Sequence, residues 1–312
     1  MVCEAEMEVW RGSVNSWECD QMGHLSARYY NALVRQGLVA VAARLGLAGA
    51  FRADAGETLI VTEQHLRFLR EARLSAPLHM TAGVLSASDD SMVVQFLLRH
   101  SRSGDLAATM RTTVVLADAA TGAPRPLPGA VRREAATLTI TVPEKAEPRS
   151  VLLDPVETMA APAAADRLGL MCASRGAFGV ESCDVFGRLR LEGFLAAVTD
   201  GMPLVGPTLR GDLASYLDMP AERIGGAMIE YRLLYHRYPR AGDRFELRSG
   251  LAGFDARTMR IVHWLMDPET GQPWFSGEGV TVSFDLEARK ALSIPAEAQT
   301  AMQEIVAPGL RL

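Results

Sequence analysis

Along the first half of the chain, the spacing of apolar residues changes once. Leu25, Tyr29, Leu33, Val34, Leu38, Val41, Ala42 and Leu45 recur at three and four residues, which predicts a helix over 25–47. Gly46 and Gly49 close it. Gly37 lies inside it at a cost of about 1 kcal/mol against alanine, so another element is expected to pack closely there. Residues 9–17 ahead of the helix read as a strand. From Thr58 the period shortens, and strands are predicted at 59–61, 66–69, 78–82, 92–98 and 110–117. Polar and glycine-bearing stretches such as 86–90 and 101–105 separate them. The expected order is a short strand, a long helix and an antiparallel meander. Residues 121–170 break this rhythm with Pro124, Pro126, Pro128, Pro143, Pro148, Pro155 and Pro162. They read as a connection, with one strand at 137–142.

The first half then returns. At a shift of 164, Arg11-Gly12 meets Arg175-Gly176, Cys19-Asp20 meets Cys183-Asp184, and Gly23, Leu25 and Gly37 meet Gly187, Leu189 and Gly201. At a shift of 167, Glu63, Leu66, Arg70, Arg73, Gly83 and Met92 meet Glu230, Leu233, Arg237, Arg240, Gly250 and Met259. A three-residue insertion between helix and sheet accounts for the change of shift. The chain is a tandem duplication of one helix-and-sheet unit, an α+β architecture. The expected division is 1–125, a connection at 126–168, and 169–312. Such a unit suits an ancestral symmetric dimer, so the halves are expected to pair across a pseudo-two-fold axis.

Composition narrows the function. The chain has 312 residues, 48% hydrophobic and 22% charged, which is globular. A net charge of −5 argues against a nucleic-acid partner. The start, Met1 to Glu6, is acidic and unlike a secretory leader. No apolar run reaches the roughly 18 residues of a membrane span, so no membrane partner is expected. Cys3, Cys19, Cys172 and Cys183 are too few for a disulfide framework, and a cytoplasmic protein with reduced thiols is expected. Neither His-x-x-x-His nor Cys-x-x-Cys occurs, and no metal site is expected.

The stretch Glu18-Cys19-Asp20-Gln21-Met22-Gly23-His24-Leu25-Ser26, followed by Tyr29-Tyr30 and the helix, carries the candidate chemistry. An aspartate before a helix is often a turn or cap residue. A carboxylate there can also attack a carbonyl or activate a water. The helix start offers unpaired amides and the positive end of a dipole, a ready oxyanion site. Gly23 lets the backbone approach a ligand closely.

These residues resemble the hotdog fold, and more narrowly the acyl-CoA thioesterases related to 4-hydroxybenzoyl-CoA thioesterase. That family shows Asp-x-x-Gly-His-hydrophobic-Asn near its start. Asp20, Gly23, His24 and Leu25 match, and Ser26 replaces the asparagine. The second copy keeps Asp184, Gly187 and Leu189 but has Arg188 and Arg190. The resemblance implies a double hotdog, each unit a long central helix wrapped by an antiparallel sheet. It also implies hydrolysis of an acyl-CoA thioester at a pocket between the halves.

Asp20, Gly23 and His24 are the catalytic candidates. Ser26, Tyr30, Glu63, Arg70, Asp184 and Gly187 are the substrate-binding candidates. The partner is a small acyl thioester, with coenzyme A as part of the substrate and no separate cofactor. Double-hotdog chains of this kind can pair into homo-oligomers. Three plainer assignments stand beside these: Cys19 and Cys183 as small buried residues, Glu63 and Glu230 as salt-bridged or solvent-facing strand residues, and Arg67, Arg70 and Arg73 as surface charge. A hotdog hydratase or dehydratase, and a ligand binder without turnover, are the alternative functions.

Overall fold

The computed structural model describes residues 6–210 and 213–312. The acidic start, with Cys3, lies outside them. In the first half the elements are β1 (Met7–Ser13), α1 (Ala27–Arg44), β2 (Glu57–Phe68), β3 (Pro77–Ala87), β4 (Met92–His100), β5 (Leu106–Asp118), the two-residue β6 (Pro124–Arg125) and α2 (Gly129–Thr137). In the second half they are α3 (Pro162–Arg167), β7 (Met171–Ala177), α4 (Leu191–Arg210), α5 (Leu213–Tyr216), β8 (Ile224–Tyr235), β9 (Arg244–Phe254), β10 (Thr258–Met266), β11 (Pro273–Asp285), β12 (Lys290–Ala291) and α6 (Ala296–Met302).

The chain divides into two compact units. One is Met1–Pro148 with Cys183–Glu192, and the other is Arg149–Ser182 with Gly193–Leu312. The Asp184 loop, second copy of the motif, thus belongs to the N-terminal unit. In that unit the strands run β1-β3-β4-β5-β2, all antiparallel. In the C-terminal unit they run β7-β9-β10-β11-β8, again antiparallel. Each is a long helix against a five-stranded sheet, as the repeat predicts.

Several details differ from the sequence reading. The strands do not form a simple meander. Helix α1 carries the chain across the sheet, so β2 joins at β5, on the side away from β1. The strands expected at 59–61 and 66–69 are one, because Gln64 and His65 between them are buried. Among these, Gln64 is satisfied by the Thr112 hydroxyl at 3.3 Å. Residues 16–18 form a 3-10 turn, not the end of a strand. The strand expected at 137–142 is the end of α2 followed by a single bridge, Thr139 to Val84. Helix α2 is repeated as α6, and its bridge as Val306 to Leu251. Ile140 then covers Gly83, as Leu170 and Leu310 cover Gly250. A side chain at either glycine would strike that cover, which explains why both positions repeat.

The strand irregularities carry the duplication further. One residue bulges out of the pairing at Val9, Thr62, Leu85 and Ala107. In the other unit it is Ala173, Ile229, Ala252 and Trp274. The first pair is separated by 164 positions and the other three by 167, the two shifts found in the sequence.

The helix glycines sit over the first of these bulges. A Cβ on Gly37 would lie 2.7 Å from Met80 Cε, 2.9 Å from Phe96 Cε1 and 3.2 Å from Val9 Cγ2. On Gly201 it would lie 2.9 Å from Ala173 Cβ and 3.0 Å from the Ala173 carbonyl oxygen. Side-chain ends can shift, but a strand carbonyl cannot. Gly201→Ala is therefore expected to destabilise by about 1–3 kcal/mol of overpacking. Gly37→Ala recovers about 1 kcal/mol of helix propensity and moves only side chains. Thermal melts should show the first variant losing about 3 °C or more, and the second staying within about 2 °C of the parent.

Candidate active site

The two motif copies fold into the same closed loop. In the first, Asp20 N–H donates to His24 O at 2.8 Å and Gly23 N–H to Asp20 O at 3.0 Å. The side chain completes the turn: Asp20 Oδ1 accepts Met22 N–H at 2.9 Å and His24 N–H at 3.2 Å. In the second, Asp184 N–H donates to Arg188 O at 2.7 Å, and Asp184 Oδ1 accepts Phe186 N–H at 2.8 Å and Arg188 N–H at 3.0 Å. Gly23 and Gly187 take the left-handed φ of +78° and +74° that closes the loop, a conformation that costs glycine little. Bridges Cys19–Leu25 and Cys183–Leu189 seal the necks. Both aspartates are turn-forming residues through one oxygen. What they can do chemically rests on the other.

The second oxygens differ. Asp20 Oδ2 has no hydrogen bond among the described residues, while Asp184 Oδ2 faces Arg188 Nε at 3.6 Å. His24 Nδ1 lies 3.9 Å from Asp20 Oδ1, and its Nε2 lies 3.3 Å from Glu71 Oε1. Glu71 in turn pairs with Arg73 at 2.9 Å. Residues 72 and 73 hold the loop from outside, through Leu25 N–H to Ala72 O at 2.8 Å and a bridge from His24 to Arg73. Glu71 was not singled out from the sequence. Its repeat partner is Tyr238, so the duplication gave no signal there, and only the fold brings it to His24.

Helix α1 begins at Ala27, two residues later than its apolar spacing implies, with Ser26 as the N-cap. Ser26 is buried, and its side chain makes no capping bond. The amides of residues 22–26 are all used within the loop or by Glu18 and Ala72. Those of Ala27 and Arg28 carry no hydrogen bond among the described residues, so they are the donors left at the helix mouth. Tyr30 packs edge-on against Phe68 at 5.0 Å in the core, with 4% of its surface exposed. Burial, with the Asp20 and Glu71 carboxylates adding to it, pushes its phenol well above the usual range.

The outlying candidates fall elsewhere. Glu63 follows the Thr62 bulge on β2. Its repeat, Glu230, does not face solvent. It is buried, and its two oxygens accept the amides of Arg149 at 2.8 Å and Ser150 at 2.7 Å. Arg67 donates to the carbonyls of Lys145 and Glu147. Arg70 lies beyond the end of β2 at Phe68. Arg70 pairs with Asp105 at 2.7 Å. It also lines a groove of about 420 Å³ with Glu71, Arg73, His100 and Arg102. Arg102 has no ion-pair partner among the described residues. Among those residues no cluster of His, Cys, Asp or Glu is placed to hold a metal, and no helix is long and apolar enough to cross a membrane.

Burial, then the Asp20 and Glu18 carboxylates, push the Cys19 thiol up, which leaves it a poor nucleophile. Cys172 is exposed. A thiol reagent on the native protein is expected to label Cys172 well ahead of Cys19, read by mass spectrometry. Asp20→Ala should cost about 1–2 kcal/mol of stability by opening the turn, and Asp20→Asn, which keeps the acceptor, much less. Denaturant melts of the two variants check this.

A family model for the thioesterase-like superfamily matches the chain twice, over residues 14–135 and 181–302. No curated protein sequence matches it. Solved structures share its fold. A protein assigned as an oleoyl thioesterase from Lactobacillus plantarum is 11% identical, with a TM-score of 0.65, covering 89% of this chain and 96% of that one. The 12:0-ACP thioesterase from Umbellularia californica is 13% identical, with a TM-score of 0.63, over 89% and 94%. An acyl-ACP thioesterase from Bacteroides thetaiotaomicron is 10% identical, with a TM-score of 0.63, over 89% and 98%. With two closed Asp-x-x-Gly loops and two helix-and-sheet units, the chain is a double hotdog and belongs to the thioesterase-like superfamily.

Proposed function

We propose that the chain hydrolyses an acyl-CoA thioester to the free acid and thiol, with Asp20 as the working carboxylate. The observation that carries this is the difference between the two loops. Asp20 keeps Oδ2 free of hydrogen bonds among the described residues, with His24 Nδ1 3.9 Å from its Oδ1, and Asp184 turns its own Oδ2 to Arg188. Asp20 Oδ2 takes a proton from the attacking water as the new C–O bond forms. The oxyanion meets the amides of Ala27 and Arg28 and the positive end of α1. The C–S bond then breaks. A thiol with a pKa near 8.5 leaves with little protonation, so no strong acid is required.

The groove supports a phosphate-bearing thiol. Arg70, Arg73 and Arg102 bring positive charge beside Glu71, which touches His24. Arginine binds phosphate through paired donors. Coenzyme A and a carrier-bound phosphopantetheine both offer such a group. The solved acyl-ACP thioesterases with this fold make the carrier form the natural comparison substrate.

Two measurements test this reading. Thiol release over a panel of acyl-CoAs is expected to fall at least 100-fold in Asp20→Asn with the melting temperature unchanged. Turnover within about threefold of the parent removes Asp20 from the chemistry. Arg102→Glu is expected to raise KM for acyl-CoA about tenfold, more at low salt, while leaving KM for the matching acyl-N-acetylcysteamine, which has no phosphate, unaltered. Equal effects on both substrates would place the phosphate elsewhere.

A further inference from the structure

The second loop puts an arginine where the first has a histidine, and that arginine is buried with a donor to spare. Arg188 exposes 5% of its surface, and its Nη1 has no hydrogen-bond partner among the described residues. Its one ion-pair contact there is Asp184 Oδ2, at 3.6 Å from Nε, which lies beyond hydrogen-bond length. Asp184 cannot close that gap freely, because its other oxygen holds the amides of Phe186 and Arg188. The guanidinium lies over the Phe186 ring at 4.8 Å. A Cβ on Gly122, which stands in a left-handed turn, would sit 3.7 Å from Nη1.

A guanidinium carries five donors in a fixed fork and cannot lose its charge. Burying it with an unfilled donor is costly, and an anionic oxygen removes that cost. The geometry points to Arg188 as the recognition residue of a second site, one that takes the carboxylate of an acyl moiety. Charge selects a carboxylate over a phosphate. Arg188 already faces the Asp184 carboxylate, so a carboxylate group, which brings one charge to the fork, is repelled less there than a phosphate dianion, which brings both. A planar carboxylate also matches the fork with two parallel bonds. The carboxylate has two possible sources: the acid released by hydrolysis, or a second carboxylate on the acyl group of a dicarboxylic thioester. Naming these sources rests on the thioesterase reading above, whereas the carboxylate site itself does not.

The test is calorimetric titration of the full chain with butyrate, glutarate and inorganic phosphate, so it needs no turnover. Arg188→Gln and Arg188→Lys are run beside the parent. The parent is expected to bind carboxylate at least tenfold more tightly than Arg188→Gln, with phosphate weaker than either acid. Arg188→Lys, which keeps the charge and loses the fork, should fall between. Equal binding of butyrate and glutarate identifies the released acid as the ligand. Binding of glutarate alone identifies the second carboxylate, and glutaryl-CoA should then be preferred to butyryl-CoA by the parent and not by Arg188→Gln. A parent that binds neither acid, binds phosphate more tightly, or binds as its Arg188→Gln variant does overturns the proposal. The first of these outcomes stands even if the variants fail to fold. Loss of thioester hydrolysis with carboxylate binding intact would instead overturn the proposed function alone.

Discussion

One carboxylate oxygen bound to two amides of its own loop is the constraint on which the candidate chemistry depends. It forces the aspartate to face inward across a tight turn and sets the next-but-three side chain beside it. It also requires a residue that accepts a left-handed backbone between them, which is why glycine stands at 23 and 187. With the first oxygen committed, the loop presents the second in a fixed direction. The structure therefore separates a scaffolding duty, which both copies perform, from the candidate chemical one, for which the copies differ in the neighbour at position 24 or 188.

That separation accounts for how the two halves diverged. In one copy the neighbour is a histidine backed by Glu71 and then by Arg73. In the other it is a buried arginine, and the position of Glu71 is taken by Tyr238, stacked on Tyr235 and edge-on to Phe194. Histidine and glutamate differ together between the copies, and the loop that carries the histidine kept its hydrogen bonds. A duplicated unit can change chemistry in this way without rebuilding its frame.

Much of this was legible in the chain. The three-and-four spacing of α1, the short-period strands and the two shifts exposed the units, because each reflects packing on one face. Gly37 announced the close approach of another element, and Gly201 repeated it. What stayed hidden depends on contacts between distant positions. The edge at which β2 joins is set by the path of α1, and nothing in the strand itself records it. Buried Gln64 and His65 disguised one strand as two. Glu71 looks like any charged residue after a strand until the fold places it on His24, and the unfilled donor of Arg188 has no sequence signature.

The four paired bulges have a consequence for how such a chain can change. Deleting an extra residue from a strand would slide everything beyond it by one place and turn core residues outward. Side chains can drift almost without limit, but each bulge is locked once its neighbours have adapted to it. The irregularities thus behave as a ratchet, and they preserve the common ancestry of the halves where residue identity has worn away. They also make the halves interchangeable parts: corresponding strands carry the same count of residues between the same interruptions, so one could be transplanted for its counterpart without disturbing which way any neighbour points.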